Sequence, residues 1–188
     1  MSRSSAMPRS LLAALALMTT GCGYNQIQTM DERVNQAQGQ IETQLQRRAD
    51  LVPNLVETVR GVAKQESTVF ISIAESRARL SGAVQSGDVG EMAEANQQLT
   101  QGLGRLLAIV ENYPQLRSSE SFRALQDQLE GTENRIAVAR QDYNAAVGDY
   151  NGFIRRFPYN LTARVFGQGQ REYFEAAPGA ETAPEVRF

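Results

Sequence analysis

Phe122, Leu129, Ile136, Tyr143, Tyr150 and Phe157 recur every seven residues, with Leu125, Thr132, Ala139, Ala146 and Phe153 at the intermediate position. Such a three-four alternation, sustained over five heptads, predicts a long helix with one stripe packed against other helices. The small Ala139 and Ala146 let a neighbour come close. Ser118 or Ser119 can cap the start, and Pro158 stops the helix.

The preceding residues are helical in pattern as well. Ile27, Met30, Val34, Ala37, Ile41 and Leu45 form a stripe over about Asn25–Arg48. Asp50 offers an N-cap with Pro53 in the first turn after it, so a second helix is expected over Leu51–Ser81. One long helix kinked near Pro53 is the alternative. Val52, Leu55, Val56, Val59, Val62, Val69, Ile73 and Leu80 make the second stripe. Ser81-Gly82 and Ser86-Gly87-Asp88 bracket a turn, Asp88 can cap a third helix, and Pro114 ends that helix. The expected fold is all-α, an antiparallel up-and-down four-helix bundle with long helices. Tyr159–Phe174 is expected to lie back on the bundle, and residues 176–188, rich in Ala, Pro and Glu, read as a disordered tail.

The N-terminus reads as a targeting segment. Arg3 and Arg9 precede the apolar run Leu11–Met18, and Thr19-Thr20-Gly21-Cys22 closes it. The run is far short of the roughly 20 apolar residues that cross a bilayer. A charged start, a short apolar stretch and small residues before a cut make a secretory signal. A small residue before the single cysteine makes residues 1–21 resemble a bacterial lipoprotein signal, with Cys22 acylated as the first residue of a mature domain over 22–175. Thr19 stands where such signals usually carry leucine.

Composition closes off several functions. The chain has no histidine and one cysteine, which acylation would consume. Zinc, copper and haem sites lose their usual ligands, and no Ser-His-Asp or Cys-His nucleophile can be assembled. The formal net charge is −2, and becomes −4 without residues 1–21. A basic footprint for nucleic acid is missing. No catalytic residue, cofactor or metal is assigned.

The block Gln46-Arg47-Arg48-Ala49-Asp50-Leu51-Val52-Pro53-Asn54-Leu55-Val56 resembles the signature of the LemA family. Gly23-Tyr24-Asn25, Glu111-Asn112-Tyr113-Pro114-Gln115-Leu116, Glu130–Ala137, Arg140, Tyr143-Asn144, Tyr150-Asn151, Phe157-Pro158 and Tyr173-Phe174 extend the likeness over about Gly23–Phe174. The resemblance implies an antiparallel four-helix bundle at the bacterial envelope with no established catalytic activity. Family members are usually held by an N-terminal transmembrane helix, where this chain has a lipoprotein-like signal instead. Gly23 follows the cysteine in place of the aspartate that resembles an inner-membrane retention signal, which points to the outer membrane.

Several polar residues stand out. Glu66 lies seven residues from both Val59 and Ile73, on the drawn core stripe. It is either a structural polar residue setting helix register or an interior ligand site. Arg48 and Asp50 crowd the first connection, Glu133 and Arg140 share a flank of the long helix, and Asn144 and Asn151 form a heptad-spaced pair. They read as inter-helix ties that fix register, or as a binding patch. The functional expectation is a non-enzymatic envelope lipoprotein. Lipidated Cys22 ties it to the membrane, and it faces the periplasm as a scaffold for an envelope protein partner in assembly or quality control. The alternative is a small-molecule or cation-binding bundle using interior carboxylates such as Glu66, Glu111 or Glu133.

Overall fold

The computed structural model of the chain describes residues 9–63 and 65–175, with side chains from residue 23 onward. Six helices occur among the described residues: α1 (Arg9–Arg60), α2 (Ser67–Ser86), α3 (Val89–Val110), α4 (Pro114–Arg117), α5 (Glu120–Ile154) and α6 (Tyr159–Val165). No strand occurs among them. The signal and lipidation assignments for residues 1–22, and the disordered tail at 176–188, lie outside the described side chains. The backbone of α1 nevertheless runs from Arg9 through Cys22 without a break.

Of the two readings open at Asp50 and Pro53, the structure takes the single long helix. No new helix starts there, because α1 continues as one 52-residue helix with Pro53 inside it. Proline lacks the N–H that would bond the carbonyl four residues back, which leaves the Ala49 oxygen without its helical donor. Arg77 of α2 fills the gap: its Nε donates to the Ala49 oxygen at 2.7 Å. The orphaned acceptor is satisfied from outside the helix, and the helix runs on.

The break between the first two long elements falls instead between Arg60 and Ser67. Gly61 and Val62 form a turn closed by the Val62 and Ala63 amides donating to the Val59 oxygen. The register drawn through Val59, Glu66 and Ile73 therefore does not exist, because no single helix carries all three. Helix α2 does not stop at Ser81-Gly82 as expected but runs on to Ser86, where Gly87 adopts φ 73°, the left-handed conformation glycine reaches without cost. Asp88 then caps α3 as expected, its side chain accepting from the Glu91 amide at 2.8 Å. Helices α2 and α3 pack against each other, and their shared apolar face includes Ile73, Leu80, Met92, Leu99 and Leu106, all fully buried.

The chain forms two compact units. One takes the described residues within Met1–Gln36 and Ala145–Arg171. Its core holds Ile27 and Val34 of α1, Val147, Tyr150 and Ile154 of α5, and Ala163 of α6. The other takes Ala37–Asn144 and the described residues from Glu172 onward. Its core gathers Ile41, Leu45, Val52, Leu55 and Val59 of α1, the α2 and α3 faces, and Phe122, Ile136 and Tyr143 of α5.

The seam of α5 departs from a strict heptad. From Tyr143 onward the buried apolar positions are Val147, Tyr150 and Ile154, with Ala146 and Phe153 only half-buried. A straight α-helix drifts about 20° per heptad against a 3.5-residue repeat, so the inward face moves on by about one position over five heptads. Leu129 is half-buried, and Phe157 lies beyond the helix end and is 79% exposed. The expected core position at Phe157 is thus corrected. Tyr159–Val165 forms the short helix α6, and residues 168–175 follow without regular structure.

The Pro53–Arg77 relation can be tested by a double-mutant cycle. Arg77→Ala should lower stability by about 1.5–3 kcal/mol, the range for a charge-assisted hydrogen bond to a buried group. In a Pro53→Ala background, where residue 53 can bond Ala49 itself, the same change should cost markedly less. Chemical denaturation of the four proteins checks this, and equal costs in both backgrounds would disprove the coupling.

Candidate functional site

Arg48 is the most buried charge among the described residues, with 5% of its surface exposed. It lies on the inward stripe of α1, three residues after Leu45 and four before Val52. Its Nη1 donates to Asn96 Oδ1 on α3 at 2.6 Å. The same atom lies 2.7 Å from Glu133 Oε2 on α5, off the line of a hydrogen bond. Burial pushes the Arg48 guanidinium below its ordinary value, and the Glu133 charge pushes it back up. One buried cation thus touches two further helices. Its Nε has no hydrogen-bond partner.

Beside this group is a mostly apolar cavity of about 270 Å³. Leu55, Leu103, Leu107 and Leu129 line it, with Arg48 and Glu133 supplying polar atoms. Its size is just under the usual range for small-molecule pockets, which begins near 300 Å³. Neither Glu66 nor Glu111 lines it. No group of three or more Cys, Asp or Glu residues suited to a metal ion occurs among the described residues.

The asparagines do something other than tie helices together. In the second unit, Asn144 holds Phe174 by its backbone: the Phe174 amide donates to Asn144 Oδ1 at 2.9 Å, and Asn144 Nδ2 donates to the Phe174 oxygen at 3.2 Å. Tyr143 donates its hydroxyl to the Glu172 oxygen at 2.8 Å. The Arg140 guanidinium sits 5.1 Å from the Phe174 ring centre, in cation–π range. In the first unit, Asn151 makes the same two-bond grip on Arg171, at 2.8 and 2.9 Å. The Arg171 side chain pairs with Asp31 at 2.8 Å and reaches Asn35 at 3.0 Å. A primary amide sets an N–H donor and a C=O acceptor side by side in one plane, which matches the N–H and C=O of a single extended residue. Asn144 and Asn151 therefore serve an extended segment, and their expected role as ties between helices is corrected.

The family model of the LemA family matches residues 37–188. Magnetosome protein MamQ 2 and magnetosome protein MamQ 1 of Paramagnetospirillum magneticum (strain AMB-1) are each 31% identical to this chain over 199 residues, covering 92% of it and 72% of each relative. Magnetosome protein MamQ of Magnetospirillum gryphiswaldense (strain MSR-1) is 30% identical over the same coverage. The chain belongs to the LemA family. The family model leaves Gly23–Gln36 outside and reaches past Phe174, so its span differs at both ends from the likeness read on the sequence.

In this LemA-family chain the signature block carries distinct physical tasks. Arg48 is the buried cation, the Ala49 oxygen receives Arg77, Pro53 creates the need for that bond, and Asp50 is exposed and accepts from Gln46 at 2.9 Å. Arg48, Asp50, Glu133, Arg140, Asn144 and Asn151 do not converge on one point. Arg48 and Glu133 meet, Arg140 and Asn144 share Phe174, Asn151 holds Arg171, and Asp50 faces solvent. Glu66 is half-buried at the N-cap position of α2 and makes no capping hydrogen bond. Asn96 and Arg77 were missed. Both sit on apolar stripes, Asn96 four residues after Met92 and Arg77 between Ile73 and Leu80, and that pattern was the available signal.

Two outcomes are expected. Glu133→Leu should cost about 2–4 kcal/mol, because Arg48 stays buried with one partner fewer. In an Arg48→Met background the same change should cost under about 1 kcal/mol, and equal losses by urea denaturation would refute the pairing. Tyr150 is buried and donates to Gln168 Oε1 at 3.1 Å. Burial and the Asp31 charge push its phenol above the ordinary value, while Arg171 pulls it down. The fold therefore favours the protonated form. That stabilisation is complete below about pH 10 and is lost as pH rises through the raised folded value. Melts of Tyr150→Phe should lack this alkaline loss; an unchanged alkaline profile would contradict it.

Proposed function

We propose that this chain is a non-enzymatic helical scaffold attached to a bacterial membrane, built on a four-helix bundle. The supporting observation is what its buried and half-buried polar groups touch. Arg48, Asn96, Glu133, Asn144, Asn151 and Arg171 are engaged with other parts of the same chain. Catalysis needs polar groups converging on a substrate, and these converge on helices and backbone. Kinship with proteins of the magnetosome supports a role in forming or maintaining a bacterial structure rather than in turning over a metabolite.

Attachment is assigned to lipid on Cys22, with residues 1–21 removed and the mature domain facing the periplasm, at the outer rather than the inner membrane. None of the described helices is long and apolar enough to cross a membrane. Two or more acyl chains at about 0.8 kcal/mol per buried methylene would hold the chain stably. The partner is an envelope protein recognised by the helical surface. A second reading, a small ligand in the Leu55–Leu103–Leu129 cavity, rests on that cavity alone and uses Glu133 of the interior carboxylates considered.

Intact mass and fractionation test the attachment. The membrane-bound protein should weigh as residues 22–188 plus acyl groups, and Cys22→Ser should leave the membrane or remain uncut. An unmodified chain beginning at residue 1 in membranes would overturn the assignment.

A further inference from the structure

We propose that α6 and the residues just before it form a docking surface for anionic phospholipid, laid against the membrane to which the N-terminal segment leads. This deepens the membrane attachment proposed above and rests on it.

Nine large apolar side chains are well exposed among the described residues, and four of them, Phe157, Leu161, Val165 and Phe166, fall within ten residues. Leu161 and Val165 are four apart on α6 and so share a face. Phe157 and Val165 are each 79% exposed. Thr162 and Ala163 take the buried side of α6, which fixes the apolar stripe outward. A cluster of this kind on an otherwise polar surface marks an interaction site.

Charge identifies the partner. Arg155, Arg156 and Arg164 are exposed around the cluster. Not one acidic residue occurs from Gly152 to Gln170. Among the described residues none of these three arginines forms an ion pair. In a chain of net charge −2, this is a concentrated positive region. Apolar and aromatic side chains interleaved with arginine suit the headgroup boundary of an anionic bilayer.

The chain path sets the position. Gly23 packs beneath Tyr159, so closely that a Cβ there would come within 2.8 Å of the ring. Tyr24 packs on Phe166 with ring centres 4.4 Å apart. Cys22 is therefore one residue from the cluster. The apolar run ends at Met18, four residues before Cys22 on the same helix, or about 6 Å along its axis. Whether the membrane holds the acylated Cys22 or the run itself, its surface lies at the level of α6.

The chain has no tryptophan, so Phe157→Trp creates a single reporter at an exposed position. The full chain extracted from membranes is reconstituted into vesicles of phosphatidylcholine and phosphatidylglycerol in equal parts, with ordinary or brominated acyl chains. Flotation reports attachment, and circular dichroism checks that the variants are folded. The inference expects blue-shifted emission that brominated lipid quenches by more than half. Adding Arg155→Glu, Arg156→Glu and Arg164→Glu should remove most of that quenching without loss of flotation. A floating protein whose emission is that of indole in water overturns the surface while attachment stands. Quenching insensitive to the three reversals overturns the choice of anionic lipid. A blue shift that follows protein concentration without lipid quenching assigns the patch to a second copy and also overturns it. A chain that does not float removes both the attachment and this inference.

Discussion

A guanidinium taken almost wholly out of water dictates what must surround it. Arg48 sits where leucine or valine would serve an ordinary helix stripe, and a charge there is tolerable only with partners. Asn96 and Glu133 supply them from two different helices. The positions of α3 and α5 in this unit are therefore tied to one residue of α1, and sliding either helix by a turn would strand the charge. The unpaired Nε shows that the compensation is incomplete. Such a group specifies an arrangement more than it stabilises one.

The same economy appears in the backbone. Pro53 removes a donor from the middle of a 52-residue helix, and the freed Ala49 carbonyl becomes the seat of Arg77. A defect in one helix thus becomes a contact point for the next. Asn144 and Asn151 repeat the idea for the extended segment after α6, whose amides and carbonyls have no regular secondary structure to satisfy them. With the interior polar groups engaged in this way, the chemistry left for partners lies on the outside. The apolar and basic surface around α6 is the most concentrated part of it.

Much of this could be read from residue order. The stripes of α1, α3 and α5, the Asp88 cap and the all-helical class followed from periodicity and turn chemistry. The family resemblance lay in contiguous blocks and was equally visible. Where the structure departs from the sequence reading, each departure has its own physical reason. Asp50 and Pro53 look like a helix start because local rules reward them, and only a side chain 28 residues away makes continuation possible. Glu66 looked like a core residue because a heptad was carried across a break that Gly61 had already signalled. Phe157 was assigned to the core by extending a 3.5-residue repeat that a 3.6-residue helix does not keep.

The sequence alone determined that this chain is helical, which faces turn inward over most of its length, and that it has no histidine for imidazole chemistry. These depend on residue type and short spacing, and both are present in the linear chain. Tertiary structure decided which polar residues meet. Arg48 with Glu133, Arg77 with the Ala49 oxygen, and Asn144 with Phe174 are separated by tens of residues, and each choice depends on competing partners being held elsewhere. It also decided that Phe157, Leu161 and Val165 face solvent. Their composition predicts burial, and for Leu161 and Val165 it is the packing of Thr162 and Ala163 on the other side of α6 that turns them outward.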